Sequence, residues 1–249
     1  MTPGAKSAMG AAQQIISQMP PHRIYVEGFG GTGAVIARKA PAKVNIVIEK
    51  SGLAAARMRA TMPPSVIIHR MDFFDYAAGT DLFSRADTLV YLDPPYVKAT
   101  RRSARNIYAH EFTDDDHRRL AALASAPTVR ARIIISGYAG SLYEQLFAGW
   151  RRHDFQVMTR GGPATESLWM NYAEPSELHD TRFVGAGFTD RQRIKRKAAR
   201  WVSRLLAMEP KERAAILAQI DLYRPTQSMA TVAAATTEER DDGKEIKCS

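Results

Sequence analysis

Five short apolar runs recur through the first two thirds of the chain: Ile24 to Val26, Val44 to Ile48, Val66 to Ile68, Thr88 to Leu92 and Ile133 to Ile135. Each is rich in β-branched residues and lacks polar alternation, the pattern of a strand buried on both faces of a parallel sheet. Stretches with helical spacing separate them, at Met9 to Ser17, Ala34 to Lys39, Leu53 to Ala60, Thr113 to Ala124 and Ser141 to Phe147. Thr113 is a candidate N-cap, and Asp114 to Asp116 favour a first helical turn behind it. Strands and helices in alternation predict a doubly wound, Rossmann-like α/β sheet.

After Trp150 the rhythm changes. Phe155 to Met158 and Ser167 to Asn171 read as strands on either side of Thr159 to Pro163, a hairpin signal that predicts a terminal antiparallel pair on the parallel sheet. Glu174 to Gly187 reads as a connector. Thr189 to Tyr223 then predicts a basic helical hairpin broken at Glu209 and Pro210, since proline suits a first helical position. Ile194, Ala198, Trp201, Leu205 and Met208 share one helical face, and Arg193, Arg196, Arg200 and Arg204 line another. From Arg224 onward no periodicity survives, which predicts a disordered tail. The chain thus divides into a main domain at 1–175, a basic appendage at 176–223 and a tail at 224–249.

Composition narrows the class. The 249 residues are 45% hydrophobic, enough for a real core, which excludes a wholly disordered chain. The single cysteine, Cys248, excludes a structural disulfide or a thiolate zinc cluster within the monomer and suits a reducing, cytoplasmic setting. Gln13, Gln14 and Gln18 interrupt the only apolar stretch near the N-terminus, so no signal peptide or membrane span is predicted. With 35 Lys and Arg against 26 Asp and Glu, the net charge of +9 favours a polyanionic partner. The six histidines show no two-His helical spacing with an acid, so no metal is expected. Ser136-Gly137 lacks the Gly-x-Ser-x-Gly frame of a nucleophile elbow. Trp169 and Trp201 are expected in the core.

Three acids fall at the carboxyl ends of successive strands. Glu27 opens the cluster Glu27-Gly28-Phe29-Gly30-Gly31-Thr32-Gly33, Glu49 closes the second strand, and Asp72 follows the third. In a parallel sheet these ends share one edge, and Glu49 lies about 20 residues after the glycines, the distance at which an acid reaches a ribose diol. The glycine cluster lacks the Lys-Ser/Thr pair of a phosphate-cradling loop, which argues against an ATPase and leaves a nucleoside-type cofactor open. After the fourth strand stands Asp93-Pro94-Pro95-Tyr96. Two prolines remove two amide donors, so carbonyls and a carboxylate remain to accept the hydrogens of an exocyclic amine, while Tyr96 offers a ring for stacking on a base.

The order of these pieces resembles the Dam-like DNA adenine N6-methyltransferases, in which the glycine motif precedes the Asp-Pro-Pro-Tyr motif. The resemblance covers roughly residues 3 to 172. It takes in Pro3-Gly4-Ala5-Lys6 upstream, and Glu111-Phe112-Thr113 with His117 and Glu166 to Asn171 downstream. It implies S-adenosylmethionine bound by Lys6, Glu27, Phe29, Gly30 and Gly33, with Glu49 on the ribose and Asp72 and Phe73 near the cofactor adenine. It further implies that Asp93 and the Pro94 carbonyl, shaped by Pro95, hold the target amine, that Tyr96 stacks on the extruded base, and that DNA is the partner. Gly28 stands where the family often carries proline, a change read as loosening the turn. Tyr76 to Asp87 leaves only a short connector where sequence-specific members carry a recognition insert.

Two basic segments offer phosphate contacts instead: Lys98, Arg101, Arg102 and Arg105 beside Tyr96, and the stripe of Arg193, Arg196, Arg200 and Arg204. Such contacts carry little base information and predict relaxed or short sequence specificity; restriction-modification or phage DNA modification is the expected setting, with no obligate protein partner. Methylation of RNA adenine, and a non-catalytic DNA-binding protein that keeps the fold, are the competing readings.

Overall fold

Seven strands form one sheet in the order β3-β2-β1-β4-β5-β7-β6. In the computed structural model, which describes residues 10–101, 108, 110–159, 162–185 and 187–222, the strands are β1 (Ile24–Gly28), β2 (Val44–Ile48), β3 (Val66–His69), β4 (Thr88–Leu92), β5 (Arg132–Gly137), β6 (Arg151–Thr159) and β7 (Gly162–Met170). The first five are mutually parallel, and β7 runs antiparallel to both β5 and β6. This is the doubly wound sheet with a terminal hairpin that the apolar runs predict. β1 and β4 are buried along their whole length, whereas β3 sits at the edge and is only half covered.

The chain crosses sides between β1 and β4, so the strand order reverses there and a crevice opens at the carboxyl ends of these two strands. Alternate residues feed two cores. Val26, Ile48, Val90, Leu92, Ile135 and Trp169 face one side, covered by α3 (Phe73–Ala78), α4 (Asp114–Ala124) and α5 (Ser141–Leu146). Tyr25, Val47, Leu89, Tyr91, Ile134 and Leu168 face the other, against Ile15 and Ile16 of α1 (Ala11–Ile16) and Met58 of α2 (Gly52–Thr61). Thr113 caps α4 as its sequence predicts. Its hydroxyl accepts from the Asp116 amide while the Asp116 carboxylate accepts from the Thr113 amide at 2.8 Å, a capping box.

Two local expectations change. The helix predicted over Ala34 to Lys39 is a run of turns, because the Ile36 amide is drawn out of a helical ladder to Oε2 of Glu27 at 2.9 Å. The interval after β3 is not a bare connector, since it holds α3 and a short 3-10 turn at Leu82–Ser84, with Asp72 as N-cap of α3. The connector after β7 docks back on the same unit: the Ala40 amide donates to Asp180 at 2.8 Å and the rings of His22 and His179 stack at 3.8 Å.

The chain divides into two units, Met1–Gly187 and Phe188–Ser249. The second holds α6 (Phe188–Leu206) and α7 (Pro210–Leu222), with Pro210 in the first helical position as expected. Neither helix buries a residue, and Trp201, expected in the core, is 56% exposed, with the Arg204 guanidinium 5.5 Å from the centre of its ring. The expected tail at 224–249 and Cys248 lie outside the described residues, as do Lys6, Arg102 and Arg105.

Candidate active site

A cavity of about 760 Å³ opens at the carboxyl ends of β1, β2 and β4. Of the residues singled out from the sequence it brings together Glu27, Phe29, Gly30, Glu49, Asp72, Phe73, Asp93, Pro94 and Pro95. Gly33 and Tyr96 are not among its lining residues. Its size lies within the range of pockets that enclose a drug-sized ligand.

Close packing shapes the turn after β1. Phe29 is the one described residue other than glycine with a positive φ, 61°, and its ring lies 5.0 Å from Phe73 and 5.2 Å from Phe112. That aromatic contact is made with the backbone in the sparsely populated left-handed region, a local strain of the kind found at ligand sites. Gly28 is not a loose substitute for proline: a Cβ there would stand 2.7 Å from Leu92 and 2.8 Å from Phe73. A side chain at Gly30 would collide with Val47. The turn therefore lies as close to the sheet as backbone can.

The acids are held differently from one another. Glu27 is 3% exposed, and its Oε2 accepts from the Tyr25 phenol and the Ile36 amide, each at 2.9 Å. Burial pushes its carboxyl up to about 7, with the nearby charge of Asp93 adding to the rise and the two hydrogen bonds and Lys39 opposing it. Glu49 binds the backbone of both flanking turns, accepting from the Gly31 amide at 2.7 Å and the Ser51 amide at 2.6 Å. Asp72 accepts from the Phe74 amide at 2.8 Å and pairs with Lys50 at 3.0 Å. Partial burial opposes its ionisation, yet these two partners hold it below the usual carboxylate range.

Asp93 follows β4, its amide donating to Gly28 at 3.4 Å and its Oδ1 accepting from Ser136 at 2.8 Å. Ser136 is read from the sequence only as failing a nucleophile elbow and Phe112 only as part of the resemblance, and Tyr91 and Arg119 not at all, since each acquires its place only when strands or helices distant in sequence meet. The last three line the cavity, with the Arg119 guanidinium 4.1 Å over the Phe74 ring.

The segment after Asp93 departs from expectation. Tyr96 is 5% exposed, its hydroxyl donates to the buried Glu166 on β7, and Tyr138 packs against its ring at 4.7 Å. The ring is thus turned into the protein rather than presented as a stacking face. Arg101 is likewise inward, with a side chain only 4% exposed. It pairs with Glu111 at 2.7 Å and donates to the Tyr96 carbonyl, so it serves the loop and not a phosphate. Lys98 is exposed. Arg193, Arg196, Arg200 and Arg204 are exposed along α6 in the second unit, where Arg193 pairs with Asp190 at 2.8 Å. No group of three His, Cys, Asp or Glu among the described residues could hold a metal ion. Nor is any described helix long and apolar enough to cross a membrane.

The stretch from the end of α2 to the middle of β6 carries Asp93 and its prolines, and it has a recognisable family. Residues 62–156 match the D12 class N6 adenine-specific DNA methyltransferase. The Dam-like resemblance of the sequence is thereby supported at the family level over that stretch. No curated protein matches the sequence. Among solved structures, SMU.776 complexed with SAH is 15% identical with a TM-score of 0.45 over 67% of this chain, which spans half the length of that one. A SAM dependent methyltransferase from Agrobacterium tumefaciens is 13% identical (TM-score 0.41, 64% of this chain and 58% of that one). An rRNA methylase from Streptococcus thermophilus is 10% identical (TM-score 0.41, 67% and 97%). At such scores the architecture rests on the chain's own strand order.

Proposed function

We propose that the protein transfers a methyl group from S-adenosylmethionine to the exocyclic N6 amine of adenine in DNA. The observation that carries this reading is the placement of Asp93, Pro94 and Pro95 at the same cavity as the buried Glu27 carboxylate, inside the segment that matches an adenine-specific family. The cavity suits the cofactor by its donor set. Glu27 is a buried acceptor for an ammonium, Glu49 lies beside the Gly31 turn where a ribose would sit, and Phe29, Ile48 and Phe73 supply apolar walls for a purine.

When bound, the cofactor supplies a methyl group on a sulfonium that is already a good electrophile. The protein then has to align the amine and exclude water. Asp93 accepts a hydrogen of the target amine, and the Pro94 carbonyl is the second acceptor, since the two prolines leave no amide donor to compete. Hydrogen bonds of this kind hold the nitrogen lone pair away from the ring and toward the methyl carbon. Methylation would leave a surplus proton on the amine, and Asp93, which accepts one of the amine hydrogens, would be the group placed to pass it on.

The short interval between β3 and β4 holds only α3 and a 3-10 turn, which supports relaxed or short specificity. Lys98 and the α6 arginines supply phosphate contacts, and no protein partner is required. Incubation with methyl-labelled S-adenosylmethionine and separate duplex DNA, single-stranded DNA and RNA tests the proposal. Label on the adenine N6 of DNA supports it. Label on RNA alone, or on none of the three, rejects it.

A further inference from the structure

We propose that Ser136 is a positioning residue for methyl transfer, its hydroxyl fixing the Asp93 carboxylate while Tyr91 fixes that hydroxyl in turn. The inference rests on Asp93 being the amine acceptor. Leu92 is level with Ile135 in the parallel pairing of β4 and β5, so Asp93 and Ser136 stand side by side just beyond it. Tyr91, two residues before Asp93, lies on the same face.

The hydroxyl of Ser136 is wholly buried, 2.8 Å from Oδ1 of Asp93, 3.1 Å from the Tyr91 phenol and 3.3 Å from the Leu92 carbonyl. It has one proton to give. The shortest of the three contacts leads to a carboxylate, which accepts only, and a charge-assisted bond outweighs a longer one to a neutral carbonyl. Ser136 therefore donates to Asp93 and accepts from Tyr91. Burial and the neighbouring charges of Asp93, Glu166 and Glu27 push the Tyr91 phenol well above its ordinary value, so it stays a donor wherever the enzyme works.

This chain does two things for the reaction. It sets the plane of the carboxylate against the incoming amine, and it favours the ionised form that can accept a hydrogen. Glu27 from β1, Tyr91 and Tyr96 from β4 and its loop, and Tyr143 from α5 also face Asp93. Only Ser136 and Tyr91 are altered in the test, so the other groups act equally on all variants. Glu27 titrates near neutrality but is read in cofactor affinity, apart from kcat at saturating cofactor.

The full chain carrying Ser136→Ala, Ser136→Thr, Tyr91→Phe or Asp93→Ala would be assayed for kcat against pH with saturating cofactor and duplex DNA. Cofactor Kd would be measured by calorimetry. Loss of one hydrogen bond to a charged group predicts that Ser136→Ala lowers kcat roughly 10- to 100-fold. Its acidic limb should move to higher pH, with cofactor Kd within a few fold of wild type. Tyr91→Phe shifts the limb the same way by less, and Ser136→Thr, which keeps the hydroxyl, recovers most of the rate. Wild-type kcat in Ser136→Ala beside an inactive Asp93→Ala overturns the inference and leaves the acceptor assignment standing. So does a depressed kcat with an unmoved limb. Near wild-type turnover in Asp93→Ala removes the assignment and the inference together. Should Ser136→Ala fail to fold, an unmoved limb in Tyr91→Phe overturns the proposal, and a shifted one upholds it.

Discussion

The Tyr25 phenol donates to Oε2 of Glu27 at 2.9 Å from two residues earlier on the same strand, and both side chains are buried beneath the turn that follows β1. The Lys39 ammonium lies 4.2 Å over the Tyr25 ring. Burial brings that amine down to about 8 while it brings the Glu27 carboxyl up to about 7, so acid and base approach each other's range at neutral pH.

Held by Glu27 as proposed, a cofactor ammonium would favour the ionised carboxylate, so cofactor affinity should rise as pH climbs through about 7. Calorimetric titrations from mildly acidic to mildly basic pH should show this rise in wild type. Glu27→Gln should show a flat profile, close to wild type at mildly acidic pH and weaker above about 7. Parallel profiles for the two proteins would remove Glu27 from the cofactor site.

The same carboxyl opposes folding when charged. Its folded value of about 7 lies above the ordinary 4.5, so its contribution is fully present below 4.5 and is lost as pH rises through 7. Without cofactor, Glu27→Gln should therefore stabilise the protein at pH 8 by up to about 3 kcal/mol relative to the same comparison at pH 4. Urea unfolding at the two pH values measures the difference. An equal effect at both would mean that Glu27 is ionised alike in the folded and unfolded chain.

A stacking role alone would make Tyr96→Phe mild, since stacking needs only the ring. Its bond to Glu166 reverses that expectation. Tyr96→Phe withdraws a donor from a buried carboxylate and should cost about 1 to 3 kcal/mol. In a double-mutant cycle with Glu166→Gln the two losses should fall short of additive by about 1 kcal/mol. Full additivity would show that the contact contributes nothing.

The strands were legible because burial on both faces leaves continuous β-branched runs, and the site acids because a parallel sheet collects its carboxyl ends on one edge. Roles fixed by a distant partner were not. Tyr96 turns inward for Glu166, seventy positions away, and Ser136 meets Asp93 only through strand register. The turn at Ala34 to Lys39 shows the same limit at shorter range, since the Ile36 amide is satisfied by a side chain nine residues earlier rather than by its helical neighbour. Arg101 read as a phosphate ligand because a basic loop looks the same in sequence whichever way its guanidinium points.

Arg101 and Lys98, three residues apart, should now part company. Arg101→Gln breaks an ion pair with Glu111 in which the guanidinium side is only 4% exposed, and such losses run to about 3 to 5 kcal/mol. The exposed Lys98→Gln should leave Tm unchanged and weaken DNA binding modestly. Thermal melts followed by circular dichroism separate the two. An Arg101→Gln protein with wild-type Tm and reduced DNA affinity would restore the phosphate role to Arg101.

The arginines of α6 carry the remaining claim on DNA. The helix holds seven Lys or Arg against one Asp and buries none of its residues, so its field faces solvent. Each phosphate neutralised contributes about 0.9 to the slope of log affinity against log salt. Arg193 is already paired with Asp190 and should contribute less than Arg196, Arg200 and Arg204. Replacing all four with Gln should therefore flatten the slope by about 2 to 4, weaken binding alike for unrelated duplexes, and leave cofactor affinity unchanged. Fluorescence anisotropy across a salt series reads the slope directly. If the slope does not change, α6 is not part of the DNA surface. If affinity falls for one sequence and holds for others, the helix reads bases, and mapping of methylated adenines should then find one fully modified motif rather than the diffuse pattern that phosphate contacts predict.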